Sequence, residues 1–193
     1  MSDIDAAAEL IETARAMEAK GINSGTSGNV SVRFDGAMLI TPSGVPYDGL
    51  EPGDVIRMGF DRSWAAIDPD RSVGPPHRRP SSEWRFHLDI LRSRPEVGAV
   101  VHAHPVSATG LSAHGRGIGP FHYMVGVAGG HDIRCAEYAT FGTEELSVNV
   151  LAALRDRKAC LLAHHGILAV GPDLASALAI AVEVEVLAAQ YLA

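Results

Sequence analysis

The sequence predicts an α/β fold in one domain. Segments with apolar residues at helical spacing alternate with short runs of aliphatic and β-branched residues. Clusters of Gly, Pro, Asn, Asp and Ser separate them. The 193 residues are 47% hydrophobic and 20% charged, which gives one domain, residues 1–193, a sizeable core. No internal repeat or low-complexity segment interrupts it.

Residues 3–20 read as the first helix. Ala7, Leu10, Ala14 and Met17 recur at helical spacing, and Gly21 is placed to end it. Residues 23–29 are small and polar, a turn. Residues 30–34 and 37–40 read as a hairpin about Asp35-Gly36. Glu51-Pro52-Gly53-Asp54 turns into a strand at 55–58. Residues 68–80, rich in Pro, Arg and Asp, read as a surface loop. Pro80-Ser81-Ser82-Glu83 opens a helix, with Ser81 or Ser82 as N-cap and Glu83 in the first turn. Trp84, Leu88 and Leu91 give that helix an apolar face, and it should stop before Pro95. Residues 99–104 form a strand and 106–113 a short helix. A further strand is expected around Ile133. Thr143 caps a helix running to Leu154. Residues 159–163 and 167–170 are strands on either side of His164-His165-Gly166. Asp173 caps the last helix, 174–192, which carries Glu183 and Glu185.

Composition excludes several partner classes. A net charge of -7 argues against nucleic acid, which selects basic surfaces, and any anion site must be built locally. Cys135 and Cys160 are too few for a disulfide framework, so reduced thiols in the cytoplasm are expected. Asp3, Asp5, Glu9 and Glu12 near the start do not fit a signal peptide. No uninterrupted apolar run approaches the ~18 residues of a membrane span.

The stretch with the clearest chemistry is Val100-Val101-His102-Ala103-His104-Pro105. Alternate residues of a strand share a face, so His102 and His104 project together and can grip a borderline metal such as zinc. Further donors are Glu83 and one of His164 and His165, whose partner is free to hydrogen-bond in the core. Three imidazoles and a carboxylate give zinc an exchangeable site suited to Lewis-acid work. Three turns suit an anion: Gly25-Thr26-Ser27-Gly28-Asn29, Ser43-Gly44, and Ser81-Ser82 at a helix start. Together they point to a phosphorylated small molecule.

These motifs resemble those of the class II aldolase/adducin family. The matching stretches are Gly25 to Arg33, Ile40 to Gly44, Pro80 to His87, Val100 to His104, His122 to Met124, Tyr138 to Thr143, His164 to Gly166 and Glu183 to Leu187. They span nearly the whole chain in the family's order. The resemblance implies a three-layer α/β/α fold with a central, mainly antiparallel sheet, in a homotetramer with shared active sites. It implies zinc held by His102, His104 and His165. Glu83 would complete the resting coordination and act as acid/base once substrate displaces it. Thr26, Ser27, Asn29, Ser43, Gly44, Ser81 and Ser82 would hold the substrate phosphate. Tyr123 would reach a neighbouring subunit's site and handle the proton of the cleaved hydroxyl. Phe141 would lie at the aldehyde end.

The implied reaction is reversible cleavage of a ketose 1-phosphate, such as L-fuculose 1-phosphate, to dihydroxyacetone phosphate and a short aldehyde such as lactaldehyde. Three alternatives accompany it. One is cleavage or dehydration of methylthioribulose 1-phosphate or its deoxyribulose analogue. A second is ribulose-phosphate 4-epimerisation, where an aspartate typically stands in place of Glu83. The third is an adducin-like binding module without catalysis. Family chains continue past the final helix into a tail with a further tyrosine, whereas Tyr191 of this sequence is expected within that helix.

Overall fold

The computed structural model describes residues 1–68 and 78–193; positions 69–77 of the loop expected over 68–80 lie outside them. Among the described residues, five α-helices flank one eight-stranded sheet. In chain order these are α1 (Asp3–Ala19), β1 (Asn29–Phe34), β2 (Ala37–Ile40), β3 (Ile56–Gly59), β4 (Trp64–Ala66) and α2 (Trp84–Ser93). Then come β5 (Ala99–Ala103), α3 (Val106–Ser112), β6 (Cys135–Ala136), α4 (Glu144–Ala153), β7 (Ala159–Leu162), β8 (Gly166–Gly171) and α5 (Leu174–Leu192). The strand order is β4-β3-β2-β1-β5-β8-β7-β6. All neighbours are antiparallel except β6 and β7.

Alternation along the strands builds two cores. On β5, Ala99, Val101 and Ala103 join β8 Ile167 and Ala169 under α1, α3 and α5. Val100 faces the other way, with Leu168 and Val170, under α2 and α4. Because helices cover both faces, the central strands are apolar at nearly every position. His102 is an exception on the α2 and α4 face, and that exception positions the site.

Local chemistry explains the element ends. Ser2 and Asp5 form a reciprocal capping box at the start of α1. Asp35 (φ 44°) and Gly36 (φ 70°) both take left-handed backbone, the geometry a two-residue hairpin turn needs. Thr143 and Asp173 cap α4 and α5 as expected. By length and composition α5 could cross a membrane, but Leu174, Ala177, Leu178, Ala181, Val184 and Leu187 lie in the core under the sheet.

Three expectations shift. Glu83 is the N-cap residue of α2 and not part of its first turn. Ser81 and Ser82 lie before the cap, because the Trp84 N–H bonds back to the Ser81 carbonyl and closes a turn there (3.0 Å). Ile133 makes only an isolated bridge to Ile118, and the strand falls at Cys135–Ala136. The edge strand β4, with an exposed Trp64, had no strong alternation to announce it. Two neighbours of the 68–80 loop are tied down: Arg78 Nε donates to the buried Asp54 carboxylate (2.9 Å), and the Arg79 carbonyl accepts from the Ser43 N–H (2.9 Å).

Candidate active site

One end of the sheet gathers the chemistry. There β1 and β8 begin, and β2, β5 and β7 stop. Asn29 sits directly opposite His102 in the β1–β5 register. His104 follows the end of β5, and Pro105 starts α3 behind it. The Glu185 carboxylate on α5 accepts from the Ser107 and Ala108 N–H groups (2.9 Å each), which pins the first turn of α3 and with it the chain after His104.

His165 comes from the β7–β8 turn. His164 takes left-handed backbone (φ 57°) and stays exposed, its ring edge-on to Tyr138, so His165 is the member of the pair that turns inward. Gly166 is required by close approach: a Cβ there would lie 2.5 Å from the Ala103 carbonyl oxygen and 2.6 Å from His104 Cδ2.

The donor atoms converge. His102 Nε2 lies 2.9 Å from His104 Nε2, and the three histidine donor atoms all fall within 4.8 Å of one another. Glu83 Oε2 is 3.0 Å from His102 Nε2, and Oε1 is 3.2 Å from His165 Nε2. Behind them runs a buried polar chain. Asn29 Nδ2 donates to Glu83 Oε2 (3.0 Å), Asn29 Oδ1 meets His87 Nε2 (2.5 Å), and His87 Nδ1 meets the Ser31 hydroxyl (2.7 Å).

Burial sets the charge states. It pushes His87 down to about 3, and His104 and His165 to about 4, so all three rings are neutral at pH 7. For Glu83, burial acts to raise the carboxyl, but His102, His165 and the Asn29 amide outweigh it and hold the group below the usual carboxylate range. His102 Nδ1 is placed to donate to the Ile167 carbonyl (2.8 Å), the tautomer in which Nε2 offers a lone pair to a cation. Glu83 Oε1 is buried yet makes no hydrogen bond. Three imidazole nitrogens and an unpartnered carboxylate oxygen that converge in this way fit a divalent cation. The His102 bond to the Ile167 carbonyl fits too, since a ligating imidazole normally donates its other N–H to a carbonyl or carboxylate.

The expected phosphate residues fall into two settings. Thr26, Ser27, Ser43, Gly44 and Ser82 are exposed on three loops. Residues 41–43 pair with 79–81 through a Pro42–Pro80 bridge, a Ser81 N–H bond to the Thr41 carbonyl and the Ser43 bond to Arg79, so two of the three loops are one unit. Asn29 and Ser81 are buried. Asn29 is committed to Glu83 and His87, and the Ser81 hydroxyl accepts from the Glu83 N–H (3.3 Å).

The aromatic candidates lie at the surface. Phe141 is exposed beside Gly142, whose left-handed backbone (φ 75°) lets it press against the Ser82 carbonyl. Tyr123, 84% exposed, heads a short 3₁₀ helix over Tyr123–Ala128. Sequence reading missed Ser31 and His87. The signals were there: Glu83 and His87 are four apart on one helix face, and Asn29 and Ser31 two apart on one strand face.

Fold and site together define an α/β protein with a metal-type His₃–carboxylate cluster at the end of its sheet. The chain matches the Class II Aldolase and Adducin N-terminal domain over residues 8–192, and it belongs to that family. It is 53% identical over 182 residues to the 5-methylthioribulose-1-phosphate/5-deoxyribulose-1-phosphate aldolase of Rhodospirillum rubrum, covering 94% of this chain and 78% of that protein. It is 47% identical over 186 residues to the L-fuculose phosphate aldolase of Escherichia coli, covering 96% of this chain and 82% of that one. A solved L-fuculose 1-phosphate aldolase superposes with a TM-score of 0.89 at 38% identity, over 100% of this chain and 86% of that chain. The Thermus thermophilus L-fuculose-1-phosphate aldolase does so at 0.79 and 30%, over 98% and 93%. The three-layer fold with its mainly antiparallel sheet is the fold of this family.

Proposed function

We propose that this protein is a metal-dependent aldolase that reversibly cleaves a ketose 1-phosphate to dihydroxyacetone phosphate and a short aldehyde. The observation that carries this reading is the buried Glu83 carboxylate, which faces three imidazoles with one oxygen free of hydrogen bonds. Zinc is the proposed ion, held by His102, His104 and His165 with Glu83 as a displaceable fourth ligand. When bound, it supplies Lewis acidity toward the ketose carbonyl.

The chain's own groups do the rest. Thr26, Ser27, Asn29, Ser43, Gly44, Ser81 and Ser82 are the proposed holders of the substrate phosphate. Breaking the bond between the third and fourth carbons leaves its electrons on the third. The hydroxyl on the fourth carbon loses its proton as that carbon becomes the aldehyde. Tyr123 of a neighbouring subunit is the proposed group at that hydroxyl proton. Glu83, ionised at rest, takes up a proton from solvent once substrate displaces it and delivers that proton to the third carbon, which completes dihydroxyacetone phosphate. Phe141 lines the aldehyde end. Lys20 and Lys158, the two lysines of the chain, are both exposed, which gives no support to a Schiff-base route. The shared site implies a homotetramer, and free Cys135 and Cys160 support a reducing, cytoplasmic setting.

Two readings of the aldehyde end follow from the relatives. L-fuculose 1-phosphate would release lactaldehyde. The 53% identity to the Rhodospirillum rubrum protein favours a second, 5-methylthioribulose or 5-deoxyribulose 1-phosphate. A panel of these three ketose 1-phosphates, assayed for dihydroxyacetone phosphate release by zinc-loaded protein, tests both. One substrate should lead the others in kcat/KM. Release from none, with zinc bound, would leave a binding module in place of an enzyme. Light scattering should give a tetramer, and an active monomer would contradict the shared site.

A further inference from the structure

Ser31 and His87 are fully buried polar residues that the proposed reaction does not use. Their hydrogen bonds have only one consistent direction. A carboxylate oxygen can only accept, so the Asn29 amide must turn its NH₂ toward Glu83 Oε2 (3.0 Å). Asn29 Oδ1 then faces His87 Nε2, which must donate. A neutral ring that donates from Nε2 accepts at Nδ1, so the Ser31 hydroxyl donates there (2.7 Å). The order is Ser31 to His87 to Asn29 to Glu83, with each N–H or O–H pointing along the chain. Its effect falls on one oxygen of the carboxylate. Oε2 is loaded by Asn29, whereas Oε1 is left bare toward His165.

We propose that His87 is a positioning residue that acts through Asn29: its Nε2–H holds the Asn29 amide, whose NH₂ in turn fixes the Glu83 carboxylate against the histidine cluster. Without the Nε2 donor, the Asn29 amide keeps only its bond to Glu83, and amide and carboxylate are free to turn together out of line with the three imidazoles. His87 also packs on the Phe86 ring (centroids 4.8 Å apart), so a purely structural role must be separated from this one. The inference rests on the proposed function only for the proton-carrying role of Glu83; its effect on metal affinity does not.

The test uses full-length protein and two substitutions. His87→Leu keeps apolar bulk and removes the donor, whereas His87→Gln restores an N–H near the place of Nε2. Cobalt(II) is titrated into metal-stripped protein and followed by its visible bands. His87→Leu should keep the native circular dichroism, raise the cobalt dissociation constant roughly 10–100-fold and alter the bands. His87→Gln should recover most of that loss. With substrate, His87→Leu should lower kcat, and His87→Gln should recover most of it. Wild-type affinity, bands and kcat in folded His87→Leu would overturn the inference.

Should His87→Leu fail to fold, nitrogen-15 NMR of the wild-type histidine rings serves. Wild-type His87 should carry its proton on Nε2, toward Asn29. A wild-type Nδ1–H tautomer would overturn the inference. Cobalt affinity needs no substrate. If the wild type binds cobalt but cleaves no ketose 1-phosphate, the function fails and the positioning inference stands.

Discussion

The two ends of the sheet contrast in what they offer a ligand. Where β1 and β8 begin, Glu83, Asn29, His87 and three imidazoles are buried or half-buried and point at one another. Where those strands end, a hollow of about 900 Å³ lies between α1 and the start of α5. Its lining includes Ala8, Ala16, Val32, Val97 and Leu178, and four of its charged residues, Glu12, Arg33, Glu96 and Asp173, are already engaged. Glu96 pairs with Arg94 (2.8 Å), Asp173 caps α5, and Arg33 binds backbone carbonyls around Val97. The far hollow has room without convergent polar atoms. The near cluster has polar atoms whose burial is costly unless each finds a partner. Space alone does not mark a chemical site; buried groups that lack only one partner do.

Four measurements bear on that contrast, from the largest effect to the smallest. His104→Ala should reduce bound zinc from about one ion per subunit to none detectable by elemental analysis, and aldol cleavage should fall to background. Full occupancy in that variant would move the metal elsewhere. Glu83→Gln keeps the size and much of the hydrogen bonding but cannot carry the proton. Turnover should drop roughly 10²–10⁴-fold, while a phosphate ligand such as dihydroxyacetone phosphate binds with little loss. Exchange of a dihydroxyacetone phosphate proton with solvent, without aldehyde, isolates this step. Exchange at the wild-type rate in the variant would reduce Glu83 to a structural residue.

The third concerns acid. In metal-free protein His87, His104 and His165 are held neutral by burial, at about 3 to 4, whereas in the unfolded chain they titrate near 6.5. Below that value the unfolded chain binds more protons, so folding stability falls as pH drops from about 6.5 toward 4. Glu83, lowered in the fold, adds a further loss below its ordinary range near 4.5. The thermal midpoint should therefore decline between pH 7 and pH 5. A flat midpoint over that interval would mean that the histidines are not buried neutral. The last measurement is Ala8→Leu in the far hollow, which should change stability by no more than about 0.5 kcal/mol and leave kcat and KM alone. An altered KM would show that this end also takes part in binding.

Much of this was legible in the sequence because it depends on short spacings. The period of two in His102-Ala103-His104 places two imidazoles together whatever surrounds them. Caps such as Thr143 and Asp173, the Asp35-Gly36 turn and the apolar runs of β5 and β7 are equally local. Motif order along the chain sufficed for the family. Other features depended on packing. Spacing alone could not say that His165 turns inward and His164 outward; the family resemblance named His165, and the choice itself rests on one left-handed residue in the β7–β8 turn. Nor could it place Asn29 behind Glu83 and not out in its loop with Thr26 and Ser27. That follows from the register that sets Asn29 opposite His102 and from α2 lying across β1, so that His87 meets Asn29 and Ser31 at once. Spacing fixes which side chains share a face of their own element. Which groups meet across elements, and which buried atom is left without a partner, is decided only when helix and sheet pack and water is excluded.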